Sequence, residues 1–144
     1  MTIGNQIVAA MITKLNSPAG PVVAERDRGL ELPPGTAGSI VLRRFREVAE
    51  RLGPQSAILK RTLIVAAECR ASGNGTTSAD ENLDPLLTHV TARLGGERLG
   101  GLVFEAVEAE TKFEQVQGDT RYAKATVYLA ARYKTLVNDA TRVA

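Results

Sequence analysis

The sequence predicts an α+β domain over residues 1–144, and three observations carry that expectation. Residues 3–15 repeat apolar side chains at helical spacing, whereas 57–70 and 121–135 follow the two-residue period of strands. Turn signals at Gly53-Pro54-Gln55 and Gln117-Gly118-Asp119-Thr120 fold strands back on themselves as hairpins. The stretch from Leu59 to Leu94 organises the rest: an apolar central strand leads through a polar linker into a helix that folds back over the sheet.

In the first segment, Ile3, Ile7, Val8, Met11, Ile12 and Leu15 line one broad side of a helix, which Asn16-Ser17-Pro18-Ala19-Gly20-Pro21 then stops. Val22–Arg26 reads as a short strand, and Pro33-Pro34-Gly35 makes a loop of residues 29–38. Residues 39–52 suit either state: Ile40-Val41-Leu42 favours a strand, while Phe45–Leu52 also fits a helix. A strand over 39–51 paired with 57–70 is preferred, because it satisfies the backbone of the apolar run Leu63–Ala67. Within the 57–70 strand Leu59, Leu63, Val65, Ala67 and Cys69 share one face.

Residues 71–82 are the linker. Ser78-Ala79-Asp80-Glu81 matches a capping box, but a helix begun there would hold Pro85 well inside it. The expectation is therefore a helix capped by Asp84, with Pro85 in its first turn and Gly95-Gly96 at its end, and with Asp80 to Leu83 open to a preceding turn. A strand over 102–117 alternates Val103, Val107, Ala109 and Phe113 with charged positions. In the last strand Ala123, Ala125, Val127, Leu129, Ala131 and Tyr133 face one way, and Tyr122, Lys124, Thr126, Tyr128 and Arg132 the other. Residues 136–144 read as a loosely held tail.

Composition narrows the function. A chain of 144 residues is long enough to bury about two-thirds of its unfolded surface. Hydrophobic content of 44% and charged content of 24% are globular values, and 4% aromatic residues require an aliphatic core. A net charge of +2 is too small to draw nucleic acid or membrane by bulk electrostatics. The start Met1-Thr2-Ile3-Gly4 has no signal-peptide character and no apolar run reaches spanning length, so a soluble protein made in the cytoplasm is expected. Cys69, the single cysteine, excludes an intramolecular disulfide and reads as a buried thiol.

No catalytic, metal or cofactor constellation is expected. His89 is the only histidine and reads as a helix-boundary residue. Glu108, Glu110 and Glu114, with Lys112 between them, read as one solvated strand face rather than paired catalytic carboxylates. Gly73-Asn74-Gly75 and Gly95-Gly96…Gly100-Gly101 lack the context of phosphate loops. Two features point outward instead. Arg43, Arg44 and Arg46, with Lys60-Arg61 on the partner strand, concentrate positive charge. Ile64, Ala66, Tyr122 and Tyr128 make the second face of the sheet too apolar for a solvated one, so another subunit or further helix cover is expected there.

With Ala79-Asp80 ahead of Leu83…Leu86-Leu87…Val90, and Tyr122-Ala123…Thr126-Val127…Tyr133-Lys134-Thr135 closing the chain, the sequence resembles the tail-terminator proteins of long-tailed bacteriophages, also called the minor tail protein U or tail-completion family. The resemblance covers nearly the whole chain and rests on element order, size and the closing strand. It implies a four- to five-stranded antiparallel sheet with helices packed on one side, and no cofactor or catalytic residue. It further implies a homo-oligomeric, hexameric ring at the head-proximal end of the tail. Its partners would be the tail tube protein and a head–tail connector or neck protein, and DNA would pass through without sequence recognition. Residues 39–61 are then expected to form a long hairpin projecting toward an axial partner, with Arg43, Arg44, Arg46 and Arg61 supplying charge and Tyr122 and Tyr128 an interface. Two alternatives stand beside this: another head–tail connector, such as a head-closure or neck protein, and a small ligand-binding regulatory α+β domain.

Overall fold

The structure is a computed structural model that describes residues 1–27, 29, 38–74, 76–115 and 122–144. The expected Pro33-Pro34-Gly35 loop, Gly75, and the turn at Gln117–Thr120 lie outside the described residues. In chain order the elements are α1 (Ile3–Asn16), β1 (Ala24–Arg26), β2 (Gly38–Arg51), β3 (Ile58–Ser72), α2 (Ala79–Leu94), a 3-10 turn (Leu99–Gly101), β4 (Glu105–Gln115), β5 (Tyr122–Leu136) and β6 (Asp139–Val143). The fold is mixed α+β, with a sheet of order β1-β2-β3-β5-β4 and β6 paired to β5.

The centre of the sheet is the antiparallel pair β3–β5, in register from Ile58 opposite Leu136 to Ser72 opposite Tyr122 without a shift. Because side chains alternate, Leu63, Val65, Ala67 and Cys69 fall on the same face as Ala125, Val127, Leu129 and Ala131, and all of them are buried. Ile7, Val8, Met11 and Leu15 of α1 and Leu83, Leu86, Val90 and Leu94 of α2 close over that face, with Ile40 and Leu42 of β2 beside them. Each such side chain contributes about 1.5–3 kcal/mol when fully removed from water. With so few aromatics, the core holds together by many aliphatic contacts.

The expected antiparallel sheet with helices fits in broad terms, with three changes. β1 runs parallel to β2 over Ala24–Arg26, and the strands number six among the described residues. Residues 136–144 are no loose tail, since β6 pairs with β5 and Ala144 N–H donates to Lys134 O at 2.9 Å. The helix expected from Asp84 begins at Ala79 instead, with Ser78 as its cap: Ser78 Oγ accepts from Glu81 N–H at 3.1 Å.

Pro85 therefore lies inside α2, where it supplies no N–H to the Glu81 carbonyl, a loss worth about 3 kcal/mol in a sealed helix. Glu81 is exposed, so water reaches that turn. The Ser78 cap and burial of Ala79 and Leu83 oppose the loss. Asn82 adds a brace, donating from Nδ2 to Ser72 O at 2.8 Å while its Oδ1 accepts from Thr77 Oγ1 at 2.9 Å. Gly96, with φ +76°, then turns the chain out of the helix in a left-handed conformation that favours glycine.

The two helices are joined where α1 ends. His89 Nε2 donates to Leu15 O at 2.8 Å, and Arg93 reaches Pro18 O at 3.2 Å, so side chains of α2 satisfy carbonyls at and beyond the end of α1. Gly20 fits against the His89 ring, and a Cβ there would run into it. Gly20→Ala should thus lower unfolding free energy by about 1–3 kcal/mol by overpacking. Gly53→Ala, where a Cβ meets nothing within 4 Å, should change it by less than about 0.5 kcal/mol. Urea titration of the two variants beside the wild type checks this, and equal midpoints for all three would remove the packing role given to Gly20.

Candidate interaction surface

Both helices sit on one face of the sheet; among the described residues no helix lies on the other. The middle of that second face is floored by small residues of the central strands, Ala66, Thr126 and Ala130, all buried. Larger side chains from neighbouring strands lie across the floor. The Phe45 ring stands 5.0 Å from the Tyr128 ring, centroid to centroid and tilted by 58°. The Arg43 guanidinium lies 5.4 Å from the Phe45 centroid, and Lys112 Nζ 5.8 Å from that of Tyr128. The result is a cation–aromatic–aromatic–cation row running from β2 across to β4. Phe45 remains 50% exposed and Val48 55%, so the row covers the floor and still offers apolar area to a partner.

A bulge in β2 builds this row. Regular alternation would set Arg44 and Arg46 on one face and Arg43 on the other. The register instead shifts at Phe45, so Arg43 stands opposite Ala66, Arg44 opposite Val65 and Arg46 opposite Ile64. Arg43 and Arg46 thereby share the helix-free face, and Arg44 turns to the helix side. There its Cδ lies 3.5 Å from where a Cβ on Gly4 would be.

Arg61 also belongs to the helix side and is committed within the chain. Its Nε donates to Thr135 Oγ1 at 2.8 Å and its Nη1 lies 3.4 Å from Glu47 Oε2, while Tyr133 Oη donates to Glu47 Oε1. This brace ties β2 to β5 across β3. The four arginines expected to act together are thus divided two and two, and Arg61 carries structure rather than a free charge. Tyr122 and Tyr128 do share the helix-free face, but at separate heights: Tyr122 is opposite Ser72 and Tyr128 opposite Ala66, about 20 Å apart along the strand. Between them Lys124 Nζ meets Glu68 at 3.2 Å and Glu114 at 3.6 Å.

β4 carries a matching irregularity. Its register shifts between Glu108 and Glu110, setting Glu108 opposite Leu129 on the helix side and Glu110 opposite Tyr128 on the free face. The single solvated face expected for Glu108, Glu110 and Glu114 is therefore split. Ala106 and Phe113 both fall on the helix side, opposite Ala131 and Ala125, yet Ala106 is buried there and Phe113 is 64% exposed, so Phe113 is no core residue. Sequence reasoning missed Phe45, Val48 and Lys112 as members of the surface. Phe45 is the one apolar residue within Arg43–Arg46, which was the available signal.

His89 and Cys69 are both engaged within the fold. His89 holds the end of α1. Cys69 is buried, and burial first, then the charge of Glu68, pushes its thiol up to about 12, so it is protonated and unreactive at neutral pH. Among the described residues no group of His, Cys, Asp and Glu is arranged to hold a metal ion. No described helix is long and apolar enough to cross a membrane. A cleft of about 330 Å³ lies between Pro21, Val22, Gly38, Asn74, Asn82 and Leu86. Its Asn74 side chain already accepts from the N–H groups of Thr76 and Thr77, and Asn82 is occupied as described above.

Comparison with protein-family models and comparison with curated proteins each return no match.

The brace makes a prediction about alkaline stability. Burial, then the hydrogen bond to and charge of Glu47, raise the Tyr133 phenol above its ordinary value of about 10. The unfolded chain then releases this proton at lower pH than the folded one. The contribution to stability is complete below about pH 10 and declines as pH rises past it. Denaturant midpoints of wild type and Tyr133→Phe between pH 8 and 11 should diverge in slope above about pH 10, the wild type falling faster. Parallel slopes would refute it.

Proposed function

We propose that this chain is a structural virion protein. It forms a hexameric ring at the head-proximal end of a phage tail tube, halts tube polymerisation and presents the surface to which the head joins. One observation carries this reading: a sheet sealed by helices on one face bears, on the other, a half-exposed aromatic and aliphatic patch framed by arginines. That pairing of a rigid core with a sticky face suits a subunit whose work is association. The element order and the closing Tyr-Lys-Thr strand support it. In this reading the β2–β3 hairpin projects toward an axial partner, its end from Phe45 to Leu52 exposed throughout, with Arg43 and Arg46 toward that partner. Tyr128 lies at the centre of the contact face and Tyr122 at its rim. DNA passes through the ring and is held by no base contact.

Termination then needs only geometry. A ring that matches the tube on one side and differs on the other offers no site for the next tube subunit, and that outer side becomes available to a neck or connector protein.

Electron microscopy of particles made without the protein tests the proposal. Overlong tubes are expected; tails of normal length that fail to join heads would move the chain to the neck or head-closure class. In particles carrying Arg43→Glu with Arg46→Glu, far-UV circular dichroism of the purified protein should be unchanged while tails no longer join heads. Normal infectious particles would contradict the role given to these arginines.

A further inference from the structure

We propose that the hairpin end of the helix-free face binds an acidic amphipathic helix of another protein, laid across β3 and β5 over Lys60 and Lys134. The inference rests on the reading of the hairpin as the part that meets an axial partner, and it names that partner's chemistry.

Two like-charged pairs stand directly opposite each other on the central strands of this face, Arg70 with Lys124 and Lys60 with Lys134. Like charges so placed repel. At the first pair the chain supplies its own counter-charge: Glu68 lies 3.5 Å from Arg70 Nη2 and 3.2 Å from Lys124 Nζ, and Glu114 lies 3.6 Å from Lys124 Nζ. At the second it does not. Among the described residues Lys60 and its neighbour Arg132 take part in no ion pair, and Lys134 Nζ lies 5.2 Å from the Phe104 ring centroid. The carboxylates nearby belong to the flanking strands: Glu50 opposite Lys60, Glu105 opposite Arg132, and Asp139, which Thr141 and Arg142 engage. The site is positive along its centre and negative at its rim.

Apolar side chains complete it. Ile58 stands opposite Leu136 in the row beyond Lys60 and Lys134, and Leu52 N–H donates to Ile58 O at 3.2 Å, which brings Leu52 beside them. Leu52, Leu136 and Phe104 are exposed and Ile58 is half-buried. A row of aliphatic residues thus borders a row of cations.

The face offers side chains and no free backbone groups. An extended segment lying on it would leave its own N–H and C=O groups unpaired there, whereas a helix satisfies them internally. Dimensions agree: one helical turn rises about 5.4 Å, close to the strand spacing of about 4.8 Å. Apolar residues at i, i+4 and i+7 of a crossing helix therefore meet Leu136, Ile58 and Leu52 in turn, and acids on its adjoining ridge meet Lys134 and Lys60. A nucleic acid fits less well, because its phosphates would run onto the negative rim on both sides.

Fluorescence anisotropy on the full chain tests it, with a labelled peptide of about 18 residues built from Leu, Ala and Glu with leucines on one helical face. The same peptide with Lys for every Glu, and a single-stranded oligonucleotide of equal charge, are the rivals. The acidic peptide should bind, and neither rival should displace it. Lys60→Gln with Lys134→Gln should weaken binding about tenfold. Because that change removes a repulsion, the urea midpoint should hold or rise, which shows the fold intact. No binding of the acidic peptide, displacement by the oligonucleotide, or unchanged affinity in the double variant would overturn the inference. Light scattering separates this from the function proposed above. The double variant should keep the wild-type mass; a fall to the single-chain 15.4 kDa would make this end a contact between copies instead. A wild type that is a single chain at every concentration would remove the ring and leave the peptide result unaffected.

Discussion

The structure depends on the unbroken register of β3 against β5. Fifteen paired positions, Ile58 to Ser72 against Tyr122 to Leu136, run without a bulge, so one parity of each strand is committed to the helix side and the other to the free side. A slip of one residue would send Leu63, Val65, Val127 and Leu129 to the wrong face and strip the core that α1 and α2 seal. The Glu47–Arg61–Tyr133–Thr135 brace secures that register at the hairpin end, and the Asn82 and Ser78 contacts secure the start of α2 at the other. The centre is rigid by aliphatic packing, and the irregularities are confined to the flanking strands.

That division shows which parts of the fold were legible in sequence. The inward stripes of β3 and β5 follow simple alternation and were readable residue by residue, as was the apolar side of α1. The bulges at Phe45 and at Ala109 were not, because a bulge leaves no compositional trace in strands rich in charge. Each reverses the parity of everything beyond it. This is why four arginines that form one cluster in the sequence separate onto two faces, and why Glu108 parts from Glu110. Pro85 misled in another way: its local preference for a first turn was real, but Ser78 and the burial of Ala79 and Leu83 outweighed it. β6 was hidden because Asp139–Val143 has little apolar content, and its pairing is set by the neighbouring end of β5.

The candidate surface was half legible. An overly apolar second face could be read from Ile64, Ala66, Tyr122 and Tyr128, yet the residues that make it a contact site come from the flanking strands. Ala66, Thr126 and Ala130 form a shallow floor because they are small, and this permits Phe45, Arg43 and Lys112 to lie across it. A helix on that face would have required large apolar residues there. The sheet keeps one side for folding and leaves the other side for association.

Amide hydrogen exchange followed as protein concentration is raised tests this division most directly. Protection should grow around the patch on the helix-free face, from Phe45 to Val48 of β2 and from Glu110 to Lys112 of β4, while the core amides of β3 and β5 stay slow throughout. Exchange at these positions that is independent of concentration, or new protection confined to the exposed sides of α1 and α2, would contradict it.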